Sequence, residues 1–112
     1  MPESFVQQVL REAQSYAWIQ RIERQTVGKV ARLRLFLDKN RFIAVYYNGQ
    51  TGSISYAYIE NEQRLFGANN MRIGWHIHPY GKEGIHIESR PIAIGEFLHL
   101  LEKELQRQKK IV

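Results

Sequence analysis

Residues 69–86 gather three of the four histidines of the chain, His76, His78 and His86, beside Asn69, Asn70 and Arg72. Imidazole has an unperturbed pKa of about 6.5, so it exchanges protons at little cost near neutral pH, and it is also the commonest metal ligand. Two chemistries therefore follow from this composition. Three imidazoles can hold a zinc or another divalent transition metal. Alternatively, without metal, one histidine takes the proton of a ribose 2′-hydroxyl and another donates to the leaving oxygen of a phosphodiester, while an arginine steadies the charge. A third reading leaves His76 and His78 as decoration of a solvated strand face. Only Glu88 offers a carboxylate by spacing, which favours the acid–base reading over the metal one.

The elements that position these residues follow from hydrophobic periodicity. His76 and His78 are two apart in an extended segment, so they share one side, with Trp75 and Ile77 pointing the other way, into the core. Pro79 ends that strand because it cannot donate to a ladder. His86 and Glu88 form a second same-face pair one loop later. If residues 73–77 and 85–87 are neighbouring strands, the loop between them returns His86 beside His78.

Upstream, Ser4 can cap a first helix with Phe5, Val6, Val9, Leu10, Ala13 and Tyr16 on its apolar side. Residues 16–23 could continue it or begin a strand. From Val30 the period becomes two: Ala31, Leu33, Leu35 and Leu37 alternate with Val30, Arg32, Arg34 and Phe36. Turns at residues 38–40, 48–52 and 60–63 separate further strands at 42–47, 53–59 and 64–66. After Pro91 a last helix carries Ile94, Phe97, Leu98, Leu101 and Leu105 and runs to about residue 108. Consecutive strands on short turns predict an antiparallel meander of about five to seven strands. The two terminal helices then bury their stripes on one of its faces, giving a two-layer α+β domain over residues 1–112.

Composition sets the outer limits. One core accounts for 112 residues, of which 44% are hydrophobic and 24% charged. No apolar run approaches the roughly 18 residues that span a bilayer, and the first residues lack the pattern of a signal peptide. The absence of cysteine excludes disulfides and thiolate sites and places the chain in the cytoplasm. A net charge of +5 favours polyanions or an acidic partner. The densest cations, Lys103, Arg107, Lys109 and Lys110, suit the negative end of the last helix. Arg32 and Arg34 share a strand face and could contact phosphates. Tyr46, Tyr47, Tyr56 and Tyr58 could stack on bases or pack across strands. His99 has no partner by spacing.

The stretch Ile54-Ser-Tyr-Ala-Tyr-Ile59, then Arg64-Leu-Phe-Gly-Ala-Asn-Asn70, Trp75-His-Ile-His-Pro79 and Gly84-Ile-His86 resembles the core of the TumE-like toxin family of toxin–antitoxin pairs. The resemblance covers about residues 30–100. It implies a toxin-like protein paired with a helix-turn-helix antitoxin and acting on RNA, with Asn70, His76, His78 and His86 at the matching positions. Asn69 stands where the family carries Asp, and the histidines are spaced His-Ile-His rather than adjacent. Together these readings predict a metal-independent ribonuclease. His76 and His78 serve as base and acid, His86 is a third site member, and Arg72 and Asn70 position the phosphate or the turn. The alternatives are a metal enzyme on the same three histidines and a non-catalytic module binding RNA or protein. Exposed strand edges would also allow a homodimer.

Overall fold

The computed structural model describes residues 2–82 and 84–111. It is a two-layer α+β domain, with a seven-stranded sheet on one side and two helices on the other. Helix α1 (Pro2–Ala13) comes first, followed by β1 (Arg21–Val27), β2 (Val30–Asp38), β3 (Arg41–Asn48) and β4 (Ser53–Glu60). Then come β5 (Gln63–Asn69), β6 (His76–His78), β7 (Ile87–Glu88) and helix α2 (Ile94–Arg107). The strands lie in sequence order, each antiparallel to the next, so β1 and β7 are the edges.

The period-two pattern of the strands sorts their side chains onto two faces. Ala31, Leu33, Leu35, Ile43, Val45, Tyr56, Tyr58, Phe66 and Ala68 all turn to one side and are buried. Val6 and Val9 of α1 and Phe97, Leu98, Leu101 and Leu105 of α2 cover them. Phe97 packs against Tyr56, tilted, and Phe66, stacked, with ring centroids 5.1 and 5.3 Å away, and the Tyr56 hydroxyl donates to the Ile92 carbonyl at 3.0 Å. Of the four tyrosines considered for stacking on bases, Tyr56 and Tyr58 thus belong to the core. Tyr47 is stacked on Phe5 at 4.6 Å, and Tyr46 alone faces the open side.

Several boundaries depart from the periodicity reading. Helix α1 starts at Pro2, leaving Ser4 inside its first turn rather than at its cap; proline suits that turn, where a missing N–H costs nothing. The helix stops at Ala13, and residues 21–27 form an edge strand that alternation does not reveal, because neither face of β1 is buried. It pairs with β2 through the two-residue loop Gly28-Lys29, with Gly28 at φ +59° as a tight hairpin requires. Strand β5 runs on to Asn69, beyond the expected 64–66, because its Gly67–Asn69 stretch is the ladder partner of β6. Strand β6 in turn begins only at His76, after Arg72 and Gly74 take left-handed φ values of +67° and +89°. No helix among the described residues is long and apolar enough to cross a membrane.

Candidate functional site

His76 and His78 point away from the helices, to the open face of the sheet, while Ile77 between them packs against the core cluster together with Trp75. Despite facing the open side, the two imidazoles are buried. The segments before β6 and after it fold over them, and the second carries His86. The β6–β7 connection is pinned at its start, where the Gly81 N–H donates to the Leu65 carbonyl at 2.8 Å. Tyr80 is held by Lys110, whose ammonium donates to its hydroxyl at 2.6 Å and to Glu60 at 2.9 Å. The pairing of β6 with β7 sets Glu88 opposite His76 and Ile87 opposite Ile77, so β7 starts two residues later than the expected 85 and His86 lies just before it, outside the ladder.

The three rings meet there. Their centroids are 4.9 Å apart for His76 and His78, 5.0 Å for His76 and His86, and 4.5 Å for His78 and His86. The Nδ1 of His76 lies 2.9 Å from the Gly74 carbonyl, which can only accept, so that nitrogen carries the proton and Nε2 of the neutral ring is left with its lone pair. His86 is exposed to solvent at the mouth of the cluster.

His78 is different, because both of its nitrogens face donors. A guanidinium nitrogen of Arg64 lies 3.4 Å from Nδ1, and the side-chain amide nitrogen of Asn69 lies 3.3 Å from Nε2. The Asn69 amide cannot turn round, since its oxygen already accepts the Met71 N–H at 2.9 Å. A neutral imidazole satisfies one of these donors, whereas an imidazolium satisfies neither. Burial, then the charge of Arg64, then the neighbouring His86 and His76 push the His78 pKa down to about 4. The ring is therefore neutral at pH 7.

Arg64 reaches this face through a defect in the ladder. Tyr58 pairs with Phe66, but Ile59 pairs with Arg64, so Leu65 is an extra residue on β5. Such a bulge reverses the side-chain alternation beyond it. Without it Arg64 would fall on the helix side with Phe66; with it, Arg64 stands beside His78. Gly67, directly opposite His78, keeps the space between them clear. A Cβ on Gly67 would stand 2.9 Å from the Tyr56 carbonyl and 3.5 Å from the Arg64 Cδ.

Together with Arg64, Asn69 and Arg72, the histidines line an open cleft of about 510 Å³, rimmed by Met71 and Ile73, and among the described residues no carboxylate lines it. The other residues singled out by spacing lie elsewhere. The Asn70 amide is fully engaged by backbone: its oxygen accepts the Ile54 N–H at 2.8 Å and its nitrogen donates to the Gly52 carbonyl at 2.9 Å. It therefore fixes the β3–β4 turn, the second of the two roles foreseen for it, and does not face the cleft. Arg32 and Arg34 share the open face but sit on β2, far from the histidines along the sheet. His99 is exposed on α2. Among the described residues, no group of three or more histidine and carboxylate side chains is arranged to hold a metal ion. Arg64 was not legible as a site residue, because a bulge leaves no mark in a single sequence.

The chain matches no protein-family model, and no curated protein or solved structure is significantly similar to it.

Proposed function

We propose that this protein cleaves single-stranded RNA without a metal, at the cleft where His76, His78 and His86 meet. The observation that carries the reading is the meeting of three imidazoles, one of them held by Arg64 and Asn69, in a cleft lined by no carboxylate among the described residues, on a protein of net charge +5. Such a site receives an anion that also needs proton transfer.

His76, with its Nε2 lone pair free, takes the 2′-hydroxyl proton. The 2′-oxygen attacks phosphorus, and the bond to the 5′-oxygen breaks. His86, solvent-exposed and stacked on His76, donates a proton to that oxygen, leaving a 2′,3′-cyclic phosphate and a 5′-hydroxyl. This moves the acid role from His78 to His86, because His78 is neutral at working pH and has little proton to give. His78 instead orients the phosphate together with Arg64, Asn69 and Arg72, whose N–H groups meet the charge that develops on its oxygens. The toxin assignment and its helix-turn-helix antitoxin partner are supported by the resemblance of residues 54–86, and a ribonuclease centre suits a toxin.

A metal centre on the same three histidines is the competing reading, and the ring separations of 4.5–5.0 Å are what favours it. A cation there would face the Arg64 guanidinium, which repels it. The deciding experiment incubates a labelled RNA oligonucleotide with purified protein in excess EDTA. Cleavage giving cyclic-phosphate ends, reduced about 10²–10⁴-fold in His76→Ala and absent on DNA of the same sequence, is the expected result. Cleavage that requires added zinc moves the assignment to the metal enzyme. Binding without cleavage under either condition moves it to a non-catalytic module.

A further inference from the structure

We infer that the open face of the sheet is a track for single-stranded RNA, running from the histidine cleft straight across the strands to Arg34. The inference rests on the ribonuclease reading and adds to it where the rest of the substrate lies.

The register places five residues in one cross-strand row: Arg34 opposite Ala44, Ala44 opposite Ala57, Ala57 opposite Gly67, and Gly67 opposite His78. Between a terminal arginine and the histidine cluster, the row thus holds nothing larger than a methyl group. On either side, two residues along each strand (three on β5 across its bulge), stand taller rows. One contains Arg32, Tyr46, Ser55, Asn69 and His76; the other contains Phe36, Phe42, Ile59 and Arg64. The result is a trough whose floor is Ala44, Ala57 and Gly67.

Its dimensions follow from sheet geometry. Four inter-strand steps of about 4.8 Å give a length of about 19 Å, and the flanking rows stand about 6.6 Å to either side of the floor. A single strand fits that width, and a double helix does not. One wall offers the hydroxyls of Tyr46 and Ser55 and the Asn69 amide, while the other offers the apolar surface of Phe42 and Ile59, the combination that hydrogen-bonds and stacks unpaired bases.

The charge matches as well. Arg32 lies over the Tyr46 ring at 5.2 Å and Arg34 over the Phe42 ring at 5.1 Å, so both guanidinium groups are held at the far end of the trough with their edges open to phosphate. Arg64 flanks the near end. Among the described residues, the carboxylates on this face sit beyond the two ends, Glu23 paired with Arg21 and Glu88 on the edge strand β7.

The test is fluorescence anisotropy with a labelled nine-nucleotide 2′-O-methyl oligouridylate, which has no nucleophilic hydroxyl and stays intact. Ala57→Phe fills the floor with a residue that favours strands, and Arg34→Glu reverses the distal charge at an exposed position. Arg24→Glu is the control: it makes the same charge change on the helix side of β1. Both track variants are expected to weaken binding by at least about tenfold, with Arg24→Glu close to wild type and the duplex of the same length bound more weakly. Equal losses in Arg24→Glu and Arg34→Glu, or wild-type binding in both track variants, overturn the track while leaving RNA cleavage standing. Failure of the wild type both to bind this strand and to cleave RNA removes the track and the ribonuclease reading together.

Discussion

The two halves of this sheet are built to different standards. From β1 to β4 the strands are seven to nine residues long and pair by tight turns, and their inward side chains make most of the sheet's contribution to the core. From β5 to β7 they shorten to three and then two residues, a bulge interrupts the ladder, and left-handed backbone, found at hairpin turns in the first half, occurs in the loops flanking β6 at Arg72, Gly74, Gly81 and Gly84. The chemistry-bearing groups are all in the second half. Regular pairing fixes which face a residue takes but offers only flat, alternating surfaces. Bulges and loops let His76, His78, His86 and Arg64 converge from different heights, and the regular half supplies the rigidity that holds them.

That contrast can be broken from either side. The largest effect on stability is expected from Phe97→Ala, which empties a fully buried site beneath Tyr56 and Phe66. Denaturant unfolding should show a loss of about 3–5 kcal/mol. Asn70→Ala removes the two hydrogen bonds that tie the end of β5 to the β3–β4 turn. A loss of about 1–3 kcal/mol is expected from two backbone groups left without their partner, measured the same way. A cost near zero would mean that water replaces the amide and that the two halves are joined more loosely than described.

The finest probe is pH. His78 has a folded-state pKa of about 4, below the roughly 6.5 of an unfolded chain. Between those values the unfolded state binds the extra proton, so stability falls as the pH is lowered from about 6.5 towards about 4. Against their burial, the Asn40 N–H and then Arg41 hold Asp38, and Lys110 and then the Tyr58 hydroxyl hold Glu60, below the usual carboxylate range, and their contribution is lost only as the pH falls further. Thermal melts of the wild type and His78→Gln across this window should diverge, with the variant flatter above pH 4. Parallel curves would show that burial and Arg64 do not hold His78 neutral.

The regular half was legible in the sequence for a simple reason. Ala31, Leu33, Leu35 and Leu37 alternate because one face of β2 is buried, and the stripes of both helices repeat at helical spacing because they cover that face. Strand β1 escaped that reading: an edge strand with neither face buried carries no alternation, and only the Gly28 turn signals it. The histidine pair on β6 and its return partner His86 were legible too, since period two and a glycine-containing loop are local properties.

What no local pattern carries is the pairing of distant segments. The bulge at Leu65 swings Arg64 to the open face, Asn69 rather than Asn70 turns its amide to the histidines, and Gly67 faces His78 across the ladder. Each of these depends on which residue stands opposite which. By itself the sequence determined the faces, the helical stripes and the types of chemical group. Register and the closing of loops over β6 decided which groups touch, because those are set by the global minimum of many packing contacts rather than by any residue's own preference.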